Sequence, residues 1–241
     1  MGQQPLDENA WMNDATRLAT ALKNTRGKNM AIDTKEMAGA VEYSQAITLT
    51  PLQIARVEIP VEGVTPLIMH RWSEKSKREM LEKQTKKTTV KRAAKDPEAE
   101  YEAARYIFDD KHDGVPAVAF KAAIVGAARQ FEGLTLVQLK SSLFVEGEGV
   151  DQLIQIDGKP VMREDTVRVG MGTADLRYRP IYTPWSAILH VRYVASAITL
   201  ESVYALVDAA GLGGVGEWRP SAPKSLTGSY GQFRIKTDDR K

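Results

Sequence analysis

Gly211-Leu212-Gly213-Gly214-Val215-Gly216 runs into Trp218-Arg219-Pro220, and a second glycine pair, Gly228 and Gly231, precedes a closing strand. Glycines permit positive φ and close backbone approach. An indole beside an arginine can stack a base while the guanidinium holds a phosphate. The run also satisfies the GxGxxG pattern of a dinucleotide site, but its surroundings are in the wrong order. Such a site needs a strand, then the glycines, then the helix N-terminus that faces the pyrophosphate. Here an amphipathic helix, Leu200–Ala210, comes before the glycines. Lys224-Ser225 makes no P-loop either, because no glycine directly precedes the lysine and no helical pattern follows. Nothing in this stretch calls for a cofactor. A surface turn closing a domain uses the same glycines; Trp218-Arg219 shifts the reading toward nucleic-acid contact.

A second chemical signal lies between Arg71 and Lys95, where ten basic residues face three acidic ones. Charge runs are commonly solvated helix faces, but an excess of one sign attracts phosphates. Asp109, Asp110, His112 and Asp113 form a polar turn before Gly114, which reads as turn chemistry and not as a metal site. His70 and His112 are the histidines available to a general base, yet no paired acid and base stand at a convincing spacing.

The whole chain has 241 residues, a net charge of +2 and no cysteine. That excludes a disulfide framework and a thiolate zinc site, and suits a cytosolic protein. No run approaches the length of a membrane span, and the start lacks a signal-peptide pattern. The expected setting is soluble and cytoplasmic.

The elements that must position these residues follow from periodicity. Residues 1–50 are polar, with one amphipathic helix around Trp11 to Lys23, and read as an arm ahead of a domain spanning 51–241. Ile54–Glu62 alternates as a half-buried strand. A helical insertion fills 73–108, broken at Asp96-Pro97, where Pro97 suits a first helical turn. Ala119–Gln130 is a helix with Phe120, Ile124 and Ala127 on one face. Ser142–Glu146 and Leu153–Ile156 read as strands, and Asp157-Gly158 is the strongest hairpin signal. Met162–Tyr182 carries Arg163, Arg168, Arg177 and Arg179 with Tyr178 and Tyr182, the mark of a protruding basic and aromatic hairpin. Trp185–Tyr193 is a strand, and Thr199 caps the last helix. Without its insertions the order is βαββαβ, an α+β ferredoxin-like (RRM-like) core with an antiparallel sheet. The open face and loops of that core commonly take single-stranded nucleic acid.

The chain resembles the RAMP superfamily, whose ferredoxin-like members include the backbone subunits of CRISPR effector complexes. Three places carry the likeness. Gly214-Val215-Gly216 with Gly228-Ser229-Tyr230-Gly231 resembles the C-terminal glycine-rich loop. Pro116 to Arg129 resembles the proline-led helix with an internal lysine and a closing arginine. Residues 147–182 sit where backbone subunits insert a thumb. Ala117-Val118-Ala119 replaces the usual serine-rich start of that helix, and neither the insertion 73–108 nor the N-terminal arm is matched to a feature of the family. The whole is also similar to proteins found in bacteriophage genomes.

The resemblance implies a non-enzymatic protein, without cofactor or metal, that coats single-stranded RNA or DNA as a head-to-tail homo-oligomer or filament. In that picture Lys121 and Arg129 hold phosphates, Trp218 and Arg219 line the strand path, and Arg177 and Arg179 lie on the thumb. Arg71, Lys83, Lys86, Lys87, Lys91 and Arg92 add a second grip, and Gly211, Gly213, Gly214, Gly216, Gly228 and Gly231 shape the loop. Two alternatives stay open: a metal-independent RNA-processing nuclease of the same superfamily, and a phage protein that binds or mimics a host nucleoprotein complex.

Overall fold

The computed structural model describes residues 49–85, 95–169, 173–223 and 226–237. The chain divides into two units, Met1–Thr50 and Pro51–Lys241, and the described elements all belong to the second. The arm helix around Trp11, with Lys86, Lys87, Lys91 and Arg92, lies outside the described residues. In order come β1 (Ile54–Gly63), β2 (Leu67–Ile68), α1 (Glu74–Gln84), α2 (Pro97–Ala104), β3 (Asp113–Pro116), α3 (Ala117–Ala127) and α4 (Leu136–Ser142). These are followed by β4 (Leu143–Glu146), β5 (Leu153–Asp157), β6 (Pro160–Val169), β7 (Thr173–Tyr182), β8 (Ser186–Val194), α5 (Leu200–Gly213) and β9 (Phe233–Ile235).

One sheet runs β3-β5-β8-β1-β9, with β4 also on β8. Its pairings are all antiparallel, with Ile59 facing Leu189 and Val61 facing Ile235. Taken as β1-α3-β4-β8-α5-β9, the chain has the βαββαβ order and the spatial strand order of a ferredoxin-like fold. The alternation of β1 and β8 explains the layering. Ile59 and Val61 meet Ala187, Leu189 and Val191 on the inner face, where α3 and α5 add Phe120, Ile124, Leu206 and Val207. Phe120 and Phe233 meet edge to face at 5.6 Å.

Local chemistry fixes the helix ends. Asp96 accepts from the Ala99 amide and Pro97 opens α2. Thr199 caps α5 through the Ser202 amide. Thr135 and Gln138 form a reciprocal capping box that starts α4, an element the hydrophobic pattern alone does not announce.

Asp157-Gly158 does not close a hairpin. It is a corner at which the chain leaves the first sheet, since β5 pairs with β3 and β8 while β6 pairs with β7. A Cβ at Gly158 would sit 2.9 Å from the Pro184 carbonyl, so glycine is needed there for close approach. The hairpin is β6–β7, in register from Pro160↔Tyr182 to Val169↔Thr173, and β2 extends it to a three-stranded sheet. It does not stand free, because α2 packs on β7 and Lys95 pairs with Asp175 at 2.7 Å.

The final glycines serve backbone contact. Contrary to the expected loop, Gly211 and Gly213 belong to α5, which runs on to Gly213. A Cβ on Gly211 would strike the Phe233 carbonyl, so β9 crosses the helix against bare backbone. At Gly231, φ is +69° and a Cβ would strike the Val215 carbonyl, whereas Gly133, at φ +77°, has open space around it. Gly133→Ala is therefore expected to cost only the left-handed penalty, about 1–2 kcal/mol. Gly231→Ala adds a clash with hydrogen-bonded backbone, and its larger loss is read by urea denaturation of the two variants side by side.

Candidate nucleic-acid interface

The outer face of the first sheet is where an RRM-like fold would stack bases, and here its charges are spent on one another. Arg56 and Arg192 both bind Glu146, at 3.4 and 2.6 Å; Arg234 binds Glu62 at 2.6 Å; His190 lies 3.5 Å from Glu58. The Arg192 hydrogen bond, aided by Arg56, holds the Glu146 carboxyl below its usual range. Among the described residues the face carries one phenyl ring, Phe144, already covered by Lys121 at 4.2 Å and Arg192 at 4.6 Å.

A denser cluster of cations and aromatic rings gathers where the hairpin sheet meets the glycine loop. Register places Arg163 opposite Arg179, and Asp165 opposite Arg177. Side chains directly opposite share a face. Asp165 is 4% exposed and receives Arg163 Nε at 2.7 Å and Arg179 Nη2 at 2.6 Å. Arg179 Nη1 also lies 3.5 Å from Glu217.

Over this pair lies Trp218. The loop is pinned by Glu217 N–H donating to the Ile68 carbonyl, Tyr230 N–H to that of Trp218, and Gly231 N–H to that of Pro66. Arg219 Nη1 braces it internally on the Gly216 carbonyl at 2.8 Å. Trp218 itself has φ +53°, a left-handed conformation unusual for a bulky residue. It is held there with its ring 4.8 Å from the Arg179 guanidinium, 5.3 Å from that of Arg163 and 5.9 Å from the Tyr230 ring. Arg163 also donates to the Tyr230 hydroxyl at 3.1 Å. Strain of this kind concentrates at functional sites. The product is a half-exposed indole backed by two cations, with Arg177, half-buried, two positions from Arg179 along β7.

Sequence-predicted residues fall into separate groups. Trp218, Arg219, Arg177 and Arg179 are brought to one junction, but Arg179 is 1% exposed and supports the ring from beneath instead of facing solvent. Arg163, Tyr230, Asp165 and His70 join that junction without having been singled out as its members. Their signal is the strand alternation that puts Arg163, Asp165, Arg177 and Arg179 on one face. Lys121 belongs elsewhere, over Phe144 and donating to the Lys140 carbonyl at 3.2 Å. Arg129 is exposed in a 3₁₀ turn after α3. Arg71 lies next to His70 and 3.9 Å from Asp151. Lys83 is on α1.

The candidate bases have settled environments. Burial, with Arg177 and Arg179 nearby, pushes His70 down to about 4, too weak a base for proton transfer near neutral pH. His112 Nδ1 sits 3.0 Å from both oxygens of Asp109. Asp113 is buried, held by Arg105 at 2.9 Å and by the Tyr182 hydroxyl at 2.6 Å. Among the described residues no three His, Cys, Asp or Glu side chains could hold a metal, and no helix is long and apolar enough to cross a membrane. A recess of about 390 Å³ lies between Phe131–Leu134 and the β8–α5 corner, with Glu132 its single charge.

No family model and no curated protein sequence matches the chain. Solved structures do. Cmr6 from Pyrococcus furiosus is 11% identical over 77% of this chain and all of its own, with a TM-score of 0.36. A chain of the Type III-B Cmr-beta complex bound to cognate target RNA is 11% identical over 96% of this chain and 66% of its own, with a TM-score of 0.39. Its own strand order makes the described chain an α+β protein of ferredoxin-like arrangement, and the solved structures similar to it include Cmr6 and a chain of the Cmr-beta complex.

Proposed function

We propose that the chain binds single-stranded nucleic acid without acting on it chemically, at the junction of the β6–β7 hairpin and the glycine loop. The observation that carries this reading is Trp218, held left-handed over the Arg163–Asp165–Arg179 cluster with Tyr230 at its side. An indole so fixed stacks a base without first being ordered, and arginine contributes cation–π support. Arg177, Arg71 and Arg219 are the nearby cations for phosphate. A duplex hides its base faces, so the arrangement favours single strands. Assembly into a head-to-tail coat belongs to the same reading. In its support, β6 offers ten residues of strand edge with no partner among the described residues.

The test is fluorescence anisotropy with labelled single-stranded RNA, single-stranded DNA and duplex DNA of one sequence. With three to four phosphates neutralised, single-strand affinity is expected to fall about 20- to 50-fold between 50 and 200 mM salt, and duplex to bind more weakly. Failure to bind any of the three at low salt would end this reading and favour a protein partner.

A further inference from the structure

His70 continues the line of β2. The register Leu67↔Tyr182 and Ile68↔Ile181, with the Met69 amide donating to the Pro180 carbonyl at 3.2 Å, leads one step further to His70 across from Arg179. Arg179 in turn faces Arg163 on β6. Strands β6 and β7 and the segment that continues β2 therefore contribute one row, His70–Arg179–Arg163, with Arg177 and Asp165 in the next row along the hairpin.

Every other polar side chain of this cluster whose contacts are described is spoken for. Arg163 and Arg179 hold Asp165, Arg179 reaches Glu217, and Arg163 donates to Tyr230. His70 Nδ1 is buried with no hydrogen-bond partner, alone in this respect among the side chains of the described residues. Buried polar atoms without partners are rare, and each asks for a reason. Position supplies one here, since the unpartnered imidazole stands beside the arginines under Trp218, on the proposed strand path.

We propose that His70 contacts a backbone phosphate of the bound strand, which enters beside Arg177 and gives the imidazole the partner it lacks in the free protein. This rests on the single-strand reading above. The ligand chemistry is a phosphodiester oxygen, an acceptor for both imidazole N–H and guanidinium. In the free protein the charges acting on His70 are Arg177 and Arg179 of β7; beyond Arg179 lie Arg163 opposite it on β6 and its partners Asp165 and Glu217, and Arg71 is next in the chain. Burial and the two β7 arginines keep the ring neutral, down to about 4. A phosphate offsets the field of those arginines and favours the protonated ring. Binding therefore takes up a proton in the window between about 4 and the ordinary histidine value of 6.5.

The experiment is isothermal titration calorimetry of the full chain at pH 5.5 with the preferred single-stranded oligonucleotide, in two buffers of different ionisation enthalpy. Wild type and His70→Phe are compared, and thermal unfolding of both is measured without oligonucleotide. Wild type is expected to take up a large fraction of one proton per site, and to gain up to about tenfold in affinity per pH unit as pH falls from 6.5 to 5.5. His70→Phe should lose that uptake and bind about 10- to 150-fold more weakly, the scale of one hydrogen bond to a charged group. Its unfolding midpoint should be unchanged or higher, since an apolar ring of similar shape replaces an unpartnered polar one. The acid side gives a second signature. The unfolded ring binds a proton below 6.5 while the folded ring stays neutral to about 4, so wild-type stability falls as pH drops through that window and His70→Phe loses less. Wild-type binding with no proton uptake, and equal affinity in His70→Phe, would overturn the assignment while leaving strand binding intact. A lower midpoint with unchanged affinity would make His70 purely structural and overturn it as well. Absence of any oligonucleotide binding by wild type would remove the strand-binding reading, and His70's role with it.

Discussion

Asp165→Ala is expected to lower stability by about 3–5 kcal/mol, the cost of removing one partner from a buried ion pair. The reason is the guanidinium left behind. Arg179 is 1% exposed and its nearest carboxylate is Asp165 at 2.6 Å; Glu217, at 3.5 Å, is partly solvated and a poor substitute. Arg163, on the rim, swings to water at little cost, so the penalty comes mainly from Arg179. For a unit of this size the loss corresponds to a drop of roughly 10 °C in melting temperature, readable by differential scanning calorimetry. Pairing Asp165→Leu with Arg179→Met should recover much of it, because a well-packed apolar pair often matches a buried salt bridge. The double variant would still bind single strands more weakly than wild type, since Trp218 loses the nearer of its two backing cations. If Asp165→Ala melts within 2 °C of wild type, the cluster does not anchor the hairpin.

Trp218→Ala should weaken single-strand affinity about 5- to 150-fold, the equivalent of about 1–3 kcal/mol for one lost base stack. Stability should change far less. The ring is only half-buried, and an alanine or glycine relieves the crowding of a bulky residue at φ +53°. Trp218→Gly, which has no left-handed penalty, should be at least as stable as Trp218→Ala and bind equally poorly. Trp218→Phe should keep part of the affinity, because a smaller π-face still stacks. Anisotropy at fixed low salt separates the three variants. Affinity within twofold of wild type for Trp218→Ala would sink the stacking role and move the site to the arginines alone.

The other face of the molecule offers the contrast that makes this junction the better site. Arg56, Arg192 and Arg234 look as available in the sequence as Arg177, yet each is paired with a carboxylate of another strand of the same sheet. A phosphate approaching them must compete with ion pairs already formed. At the junction the aromatic rings sit on top of the arginines, so a base and a phosphate meet complementary groups together.

The sequence by itself determined what depends on neighbours in the chain. Alternation over Ile54–Glu62 and Trp185–Tyr193 marked the two central strands, Asp96-Pro97 and Thr199 marked helix starts, and the helix-before-glycines order excluded a dinucleotide site. These follow from backbone periodicity, capping and φ preference, which act within a few residues. The capping box at Thr135 was equally local, though its helix lacks a strong hydrophobic pattern. What the tertiary structure decided was partner choice among like residues. Arg177 and Arg179 are the same type two positions apart on one strand, and register sets Arg177 opposite Asp165, yet it is Arg179 that reaches diagonally to Asp165 and lies beneath the Trp218 ring, where the path of the glycine loop brings the indole. The neutralised sheet face, the corner at Asp157-Gly158 and the unpartnered His70 arise in the same way. Each depends on which strand lies alongside, and that contact is set by the packing of the whole domain and not by any short stretch of chain.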